Sequence, residues 1–299
     1  MRKSFSTFSV LLVLTLSVLA CELPGTISSR INPSIAPTQW LSSSTPSVGI
    51  DTPSVTMTPG IEAFSPTSSP GVAVTKSYHY TRLSDPLRTQ VTGTDGHWLA
   101  TFTDKAYTVT LLGPQRKFME PSAKDPVITT VWVRVLPAPY HGTVDEAWLS
   151  HALTDHSPDI LAIAMQYITG APPVTNSSGL QIAGKASYGP VKADDTREEG
   201  GDFNDYLGIS WNFGGKNHSP KSDFYRSLDC SGFMRMVWGY RSGLPLSYLP
   251  DGGKGIPRHS WEILSSGPGI VIIPDENDVQ ITDFNHLETG DLVFFHAKT

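Results

Sequence analysis

Apolar and polar positions follow three regimes along this chain. Residues 10–20, "VLLVLTLSVLA", form an apolar run broken only by Thr15 and Ser17. From about 22 to 78 the residues are mostly Ser, Thr and Pro with very few charges and no period, as in "LSSSTPSVGIDTPSVTMTPG". Such a stretch buries too little apolar surface to offset the entropy of ordering it, and it reads as a disordered tether. Order resumes near "YHYTRL". "GHWLATFTDKAYTVTLLG" (96–113) holds two β-rich runs around Asp104-Lys105 and predicts a hairpin. "VITTVWVRVLPAP" (127–139) predicts a further strand that prolines terminate.

Two helical patterns follow. "TVDEAWLSHAL" (143–153) has Thr143 as its cap and two acids in its first turn. "SPDILAIAMQYITG" (157–170) has Ser157 as cap, Pro158 at the first helical position and Gly170 as stop. Residues 79–175 therefore predict a small α+β accessory domain. A glycine- and acid-rich connection (176–202), containing "DDTREEGGD", reads as a solvated linker. In "CSGFMRMVWGYRSGLP" the apolar residues Phe233, Met236, Val237 and Tyr240 fall at i, i+3, i+4 and i+7, one face of a helix. Ser227 or Asp229 caps its start, and Gly243 and Pro245 end it. Cys230 then lies in the first turn, on the side of the buried stripe.

The N-terminus changes the picture of where the protein works. Arg2 and Lys3 precede the apolar run, which is shorter than the ~20 residues a spanning helix needs. It ends at "VLAC" (18–21), which resembles the lipobox of bacterial lipoproteins. The resemblance implies cleavage after residue 20, lipidation of Cys21, and a membrane-anchored protein on the outer side of the plasma membrane. Cleavage near Ala20 as an ordinary signal peptide and a retained anchor helix are the alternatives. The 299 residues contain two cysteines; with Cys21 lipidated, Cys230 has no intramolecular disulfide partner, and no second cysteine lies near enough for CxxC redox chemistry. Residues 21–299 carry 20 basic and 28 acidic side chains, a formal charge of −8, which points away from nucleic acid. His97, His141, His151 and His156 are scattered without ligand spacing, and the sequence implies neither a metal nor another cofactor.

A thiol in the first turn of a helix sits where backbone N–H groups favour the thiolate, and Gly232 leaves room for another chain to approach. Asp229 acts in the opposite sense unless its charge is occupied. Position alone leaves nucleophile and packed structural cysteine both open. "DCSGF" (229–233) resembles the nucleophile motif of the NlpC/P60 family of cell-wall cysteine peptidases. "YLGISWNFGG" (206–215) resembles that family's aromatic lead-in, with Trp211 where Tyr is usual. "GIPRHS" (255–260) resembles its Pro-Arg loop, and "LETGDLVFF" (287–295) its Gly-Asp strand. The motifs keep the family's order over about ninety residues.

The resemblance implies a papain-like α+β fold over 203–299, in which the cysteine helix packs against an antiparallel sheet. It implies a peptidoglycan hydrolase that cleaves stem-peptide amide bonds of the γ-D-glutamyl-diamino acid type. Cys230 would be the nucleophile, Asp229 and Ser231 would flank the substrate amine and acyl site, and Trp211 would wall the pocket. The family's base histidine opens the strand after "GDLVFF", and Thr299 comes four residues past Phe295, so a C-terminally incomplete and inactive chain is expected. His259, His286 and His296 are poorly placed as substitutes. The alternative is a non-catalytic envelope lipoprotein that binds cell-wall peptides.

Overall fold

The structure, a computed structural model, describes residues 77–274 and 281–295. The export segment, Cys21, the tether and His296 lie outside the described residues. Among the described residues no helix is long and apolar enough to cross a membrane.

The fold is mixed α+β. Five strands, β1 (His79–Ser84), β2 (Leu87–Thr92), β3 (Trp98–Thr103), β4 (Thr108–Phe118) and β5 (Val127–Val135), pair antiparallel in chain order as a meander. The predicted hairpin at Asp104-Lys105 is β3–β4, and Lys105 takes the left-handed conformation (φ 62°) that the tight turn requires. β5 ends before Pro137, as the prolines predict.

Residues that face one another across a ladder share a face, so register assigns the two sides of this sheet. Val91, Ala100 and Leu111 align, as do Phe102 and Val109. This apolar side is closed by Tyr140 and by Leu149 and Ala152 of helix α1 (Glu146–Ala152). Thr101, Thr110 and Val133 align on the other side, with Arg88 and Thr103 beside them. Segment 286–292 covers that side: the Arg88 guanidinium donates to the His286 carbonyl at 2.5 Å and lies 3.8 Å from Glu288. A Cβ on Gly290 would stand only 2.7 Å from Val133. Thr101, Thr110, Arg88 and Thr103 are thus interior positions.

The two predicted helices start later than expected, because an aspartate outcompetes the earlier hydroxyl as cap. Asp145 rather than Thr143 accepts from the Trp148 N–H at 3.0 Å. Asp159 rather than Ser157 caps α2 (Ile160–Ala164), which continues as a 3-10 turn to Tyr167. Ser157 is engaged with Asp155 and Arg134. The Asp159 carboxylate also accepts from Val133 N–H at 2.7 Å and from both Arg116 terminal nitrogens at 2.6 and 2.7 Å, which ties α2 to the sheet.

Residues 176–202, expected as a solvated linker, are partly built into the interior. A short hairpin, β6 (Val174–Thr175) with β7 (Gln181–Ala183), buries Ala183 completely. The acid run ends in the buried Gly201-Asp202. Asp202 opens α3 (Phe203–Leu207) with a capping box, accepting from Phe203 N–H while Asp205 accepts from Asp202 N–H at 3.0 Å. The hairpin β8 (Trp211–Phe213) with β9 (Lys216–His218) turns at Gly214-Gly215, both at positive φ, which is the type I′ requirement.

Helix α4 (Cys230–Met234) runs on as a π-helical segment, Arg235–Tyr240, and α5 (Ser260–Ser266) packs against its first turns. One buried cluster joins Val133, Ile160, Ile163 and Tyr167 to Phe203, Tyr206, Met236 and Val237. The cysteine helix therefore packs on α2 and α3, with no seam in the core at residues 176–202. "DLVFF" (291–295), expected as a strand, has no ladder partner among the described residues and no regular structure; the preceding Glu288 N–H is turned onto the Asp291 carboxylate at 2.8 Å.

Candidate active site

Asp229 has extended backbone (φ −76°, ψ 179°) and caps the cysteine helix, its Oδ1 accepting from Gly232 N–H at 2.7 Å and from the Ser231 hydroxyl at 3.0 Å. Oδ2 accepts from Gly200 N–H at 3.1 Å. Arg258 completes the shell, donating from Nη1 to Oδ1 at 3.2 Å and from Nη2 to Oδ2 at 2.6 Å, with Nη1 also 2.6 Å from Ser231 Oγ. Asp229, Ser231 and Arg258 are all buried. Five donors on two carboxylate oxygens leave no lone pair for an incoming ammonium. The Asp229 charge is thus spent inside the fold, on the helix cap and on Arg258. Ser231 both donates to Asp229 and accepts from Arg258.

A second ion pair lies beneath the first. Arg235 has no exposed surface, and its Nε donates to the Asp202 carboxylate at 2.9 and 3.2 Å. Its Nη1 reaches the carbonyls of Ser247 (2.6 Å) and Ile256, while its guanidinium lies over the rings of Phe203 and Phe213. Arg258 bridges the two pairs, with Nε 3.8 Å from Asp202. The four charges alternate as Arg235, Asp202, Arg258 and Asp229 and sum to zero. Burial pulls the Arg258 pKa down, but the charges of Asp229 and Asp202 more than offset it, so the guanidinium stays charged above its ordinary value.

Cys230, the first helical residue, is half-buried. The space that Gly232 leaves is filled by the chain itself: a Cβ there would stand 2.1 Å from the Gly201 carbonyl oxygen, and Asp229 N–H donates to that same oxygen at 2.9 Å. Since Asp229 takes the Gly232 N–H, that donor is also withdrawn from any oxyanion role. Trp211 is half-buried and packs edge-on against Phe203 and Tyr240, at 5.1 and 5.7 Å between centroids. This places it in the aromatic layer beneath the helix, and only its remaining exposed part could wall a pocket.

Arg258 fixes "PRHS" onto the residues that flank Cys230, so His259 and α5 adjoin the cysteine helix. His259 is exposed, its N–H donates to Glu262 at 3.1 Å, and its ring lies parallel to the exposed Trp261. His286 is held on the sheet through its carbonyl. His218 is packed between Phe213 and Tyr248. Among the described residues no group of three or more His, Cys, Asp or Glu is placed to hold a metal ion.

Asp202, Arg235 and Arg258 are the residues that sequence reasoning missed as parts of the site. Arg258 was legible within "GIPRHS", a motif otherwise without a charged role. Asp202 and Arg235 carried no local signal, being 33 positions apart. Comparison of the chain with protein-family models, with curated proteins and with solved structures gives no match.

Proposed function

We propose that this protein is a cysteine peptidase of the NlpC/P60 type that hydrolyses amide bonds in peptidoglycan stem peptides, with Cys230 as nucleophile. One observation carries the reading. Cys230 is the half-buried first residue of a helix whose start is fixed by Asp229, Ser231 and Arg258, so two of the four motifs are joined at the residues that flank the cysteine. The papain-like fold and the location of a lipoprotein on the outer side of the plasma membrane belong to the same proposal.

The chemistry asks a thiolate to attack the amide carbonyl, a histidine to take the thiol proton and return it to the leaving amine, and water to release the acyl group. What this chain supplies is placement: the helix holds the sulfur, the ion pairs hold the helix, and Trp211 backs it. Substrate binding does not draw on the Asp229 carboxylate, whose charge is paired with Arg258.

The test is hydrolysis of purified muropeptides by the 299-residue chain and by any longer product of its reading frame, with release of new amino groups as readout. Cleavage that Cys230→Ala abolishes is the expected result. Absence of cleavage from every product, or cleavage that survives Cys230→Ala, refutes the proposal. Stem-peptide binding without turnover would select the binding-protein reading.

A further inference from the structure

Asp229 poses an electrostatic problem for a nucleophile at position 230. An unneutralised carboxylate on the neighbouring residue stabilises the protonated thiol and raises its pKa. The structure places a guanidinium on that carboxylate, in the forked two-bond geometry that lysine cannot reproduce, and the same guanidinium holds Ser231 on the other side of the cysteine. We propose that Arg258 is a positioning residue for the Cys230 thiolate, cancelling the Asp229 charge and locking the first helical turn around the sulfur. This rests on the reading of Cys230 as nucleophile, but its test does not require turnover.

Apart from His259, whose exposed ring lies parallel to Trp261 and which these substitutions leave in place, the other charged groups on the packed elements are already committed. Asp205 on α3 accepts from the Asp202 and Lys221 N–H groups, Glu262 on α5 accepts from His259 N–H, and Asp159 at the start of α2 pairs with Arg116. Arg235 is paired with Asp202. A single substitution at position 258 therefore changes the Asp229–Arg258 balance and, at the longer distance of 3.8 Å, the contact with Asp202.

The measurement is the pH dependence of iodoacetamide alkylation, followed by mass spectrometry on the peptide containing Cys230 so that Cys21 does not interfere. Arg258→Gln should raise the thiol pKa by about one unit, the size expected of a full charge on an adjacent residue at a partly solvated site. Asp229→Asn, which leaves the guanidinium in excess, should lower it, and the Asp229→Asn/Arg258→Gln double variant should return near the wild-type value. Arg258→Lys keeps the charge and should stay within about half a unit of wild type even though it loses the fork. A purely structural role predicts lowered melting temperatures with no such opposition of sign. An unchanged thiol pKa in folded Arg258→Gln, or a shift in the same direction for both single variants, overturns the proposal. If Arg258→Gln does not fold, Asp229→Asn decides alone: a lowered pKa supports the proposal and an unchanged or raised one overturns it. Loss of hydrolysis with these shifts intact would refute the peptidase and leave the electrostatic role standing.

Discussion

Arg235 is the most demanding residue in the molecule. It is a charge with no exposed surface, between Phe203 and Phe213, with one carboxylate and two carbonyls as partners. Arg235→Met keeps much of the side-chain volume against those rings while removing every polar contact. The Asp202 carboxylate would then have Arg258 at 3.8 Å as its remaining cation, and the Ser247 and Ile256 carbonyls would lose a donor. Breaking one side of a buried pair costs about 3–5 kcal/mol, and methionine packing recovers part of it, so about 3–4 kcal/mol is expected. That is a large share of the roughly 5–15 kcal/mol by which a domain is stable. The assay is equilibrium urea unfolding followed by tryptophan fluorescence, with the slope against denaturant compared between variants to check that the unfolding reaction is the same. The partner substitution isolates the cause. Asp202→Asn retains a capping side chain and removes the stranded charge, so Arg235→Met/Asp202→Asn should be about 1–2 kcal/mol more stable than the sum of the two single losses implies. A loss below about 1 kcal/mol for Arg235→Met, or strict additivity in the double variant, would show that the pair is not what holds this helix.

Three further outcomes follow from the packing. Gly232→Ala forces a Cβ to 2.1 Å from a backbone oxygen that cannot swing away, so a loss of more than about 2 kcal/mol in the same unfolding assay is expected, against the gain that alanine normally brings to a helix interior. Asp159→Ala strands Arg116 and the Val133 N–H together and should cost about 3–5 kcal/mol, with the loss reduced when Arg116→Met is added. Burial, and then the nearby charge of Asp291, raises the Glu288 pKa above its ordinary 4.5, although Arg88 pulls it down. A carboxyl with a raised folded-state pKa contributes stability below its unfolded pKa and loses it as pH rises through the folded value. Stability should therefore fall on going upward from about pH 4.5, and Glu288→Gln should flatten that part of the profile; an identical profile in thermal melts across this range would disprove the assignment.

The meander was legible because its signals are local. β-rich runs marked β3 and β4, the Asp104-Lys105 turn joined them, and prolines closed β5. The helix starts at Asp145 and Asp159 were misplaced by two residues each because Thr143 and Ser157 are also competent caps. What decided between them was tertiary: Asp159 is additionally bound by Arg116 and Val133, contacts that no window of sequence contains. Thr101 and Thr110 are buried for the same reason. Their cover, residues 286–292, arrives from the far end of the sequence.

The site divides along the same line. The placement of Cys230 came from a helical stripe and a cap, both local, and Asp229 was correctly offered as that cap. The outward-facing duty expected of Asp229 and Ser231 from the motif is a separate matter from the cap. A carboxylate that caps a helix still has lone pairs to spare, so sequence cannot say whether a substrate or the fold will use them. Here Gly200 and Arg258 use them. Arg235 misleads in the opposite sense, since a lone arginine within an amphipathic pattern reads as solvated until its distant aspartate is known. Because the buried charges cancel only as a set of four, a change at any one should be felt at the thiol as well as in stability. That link separates a scaffold built around Cys230 from a core that merely contains it.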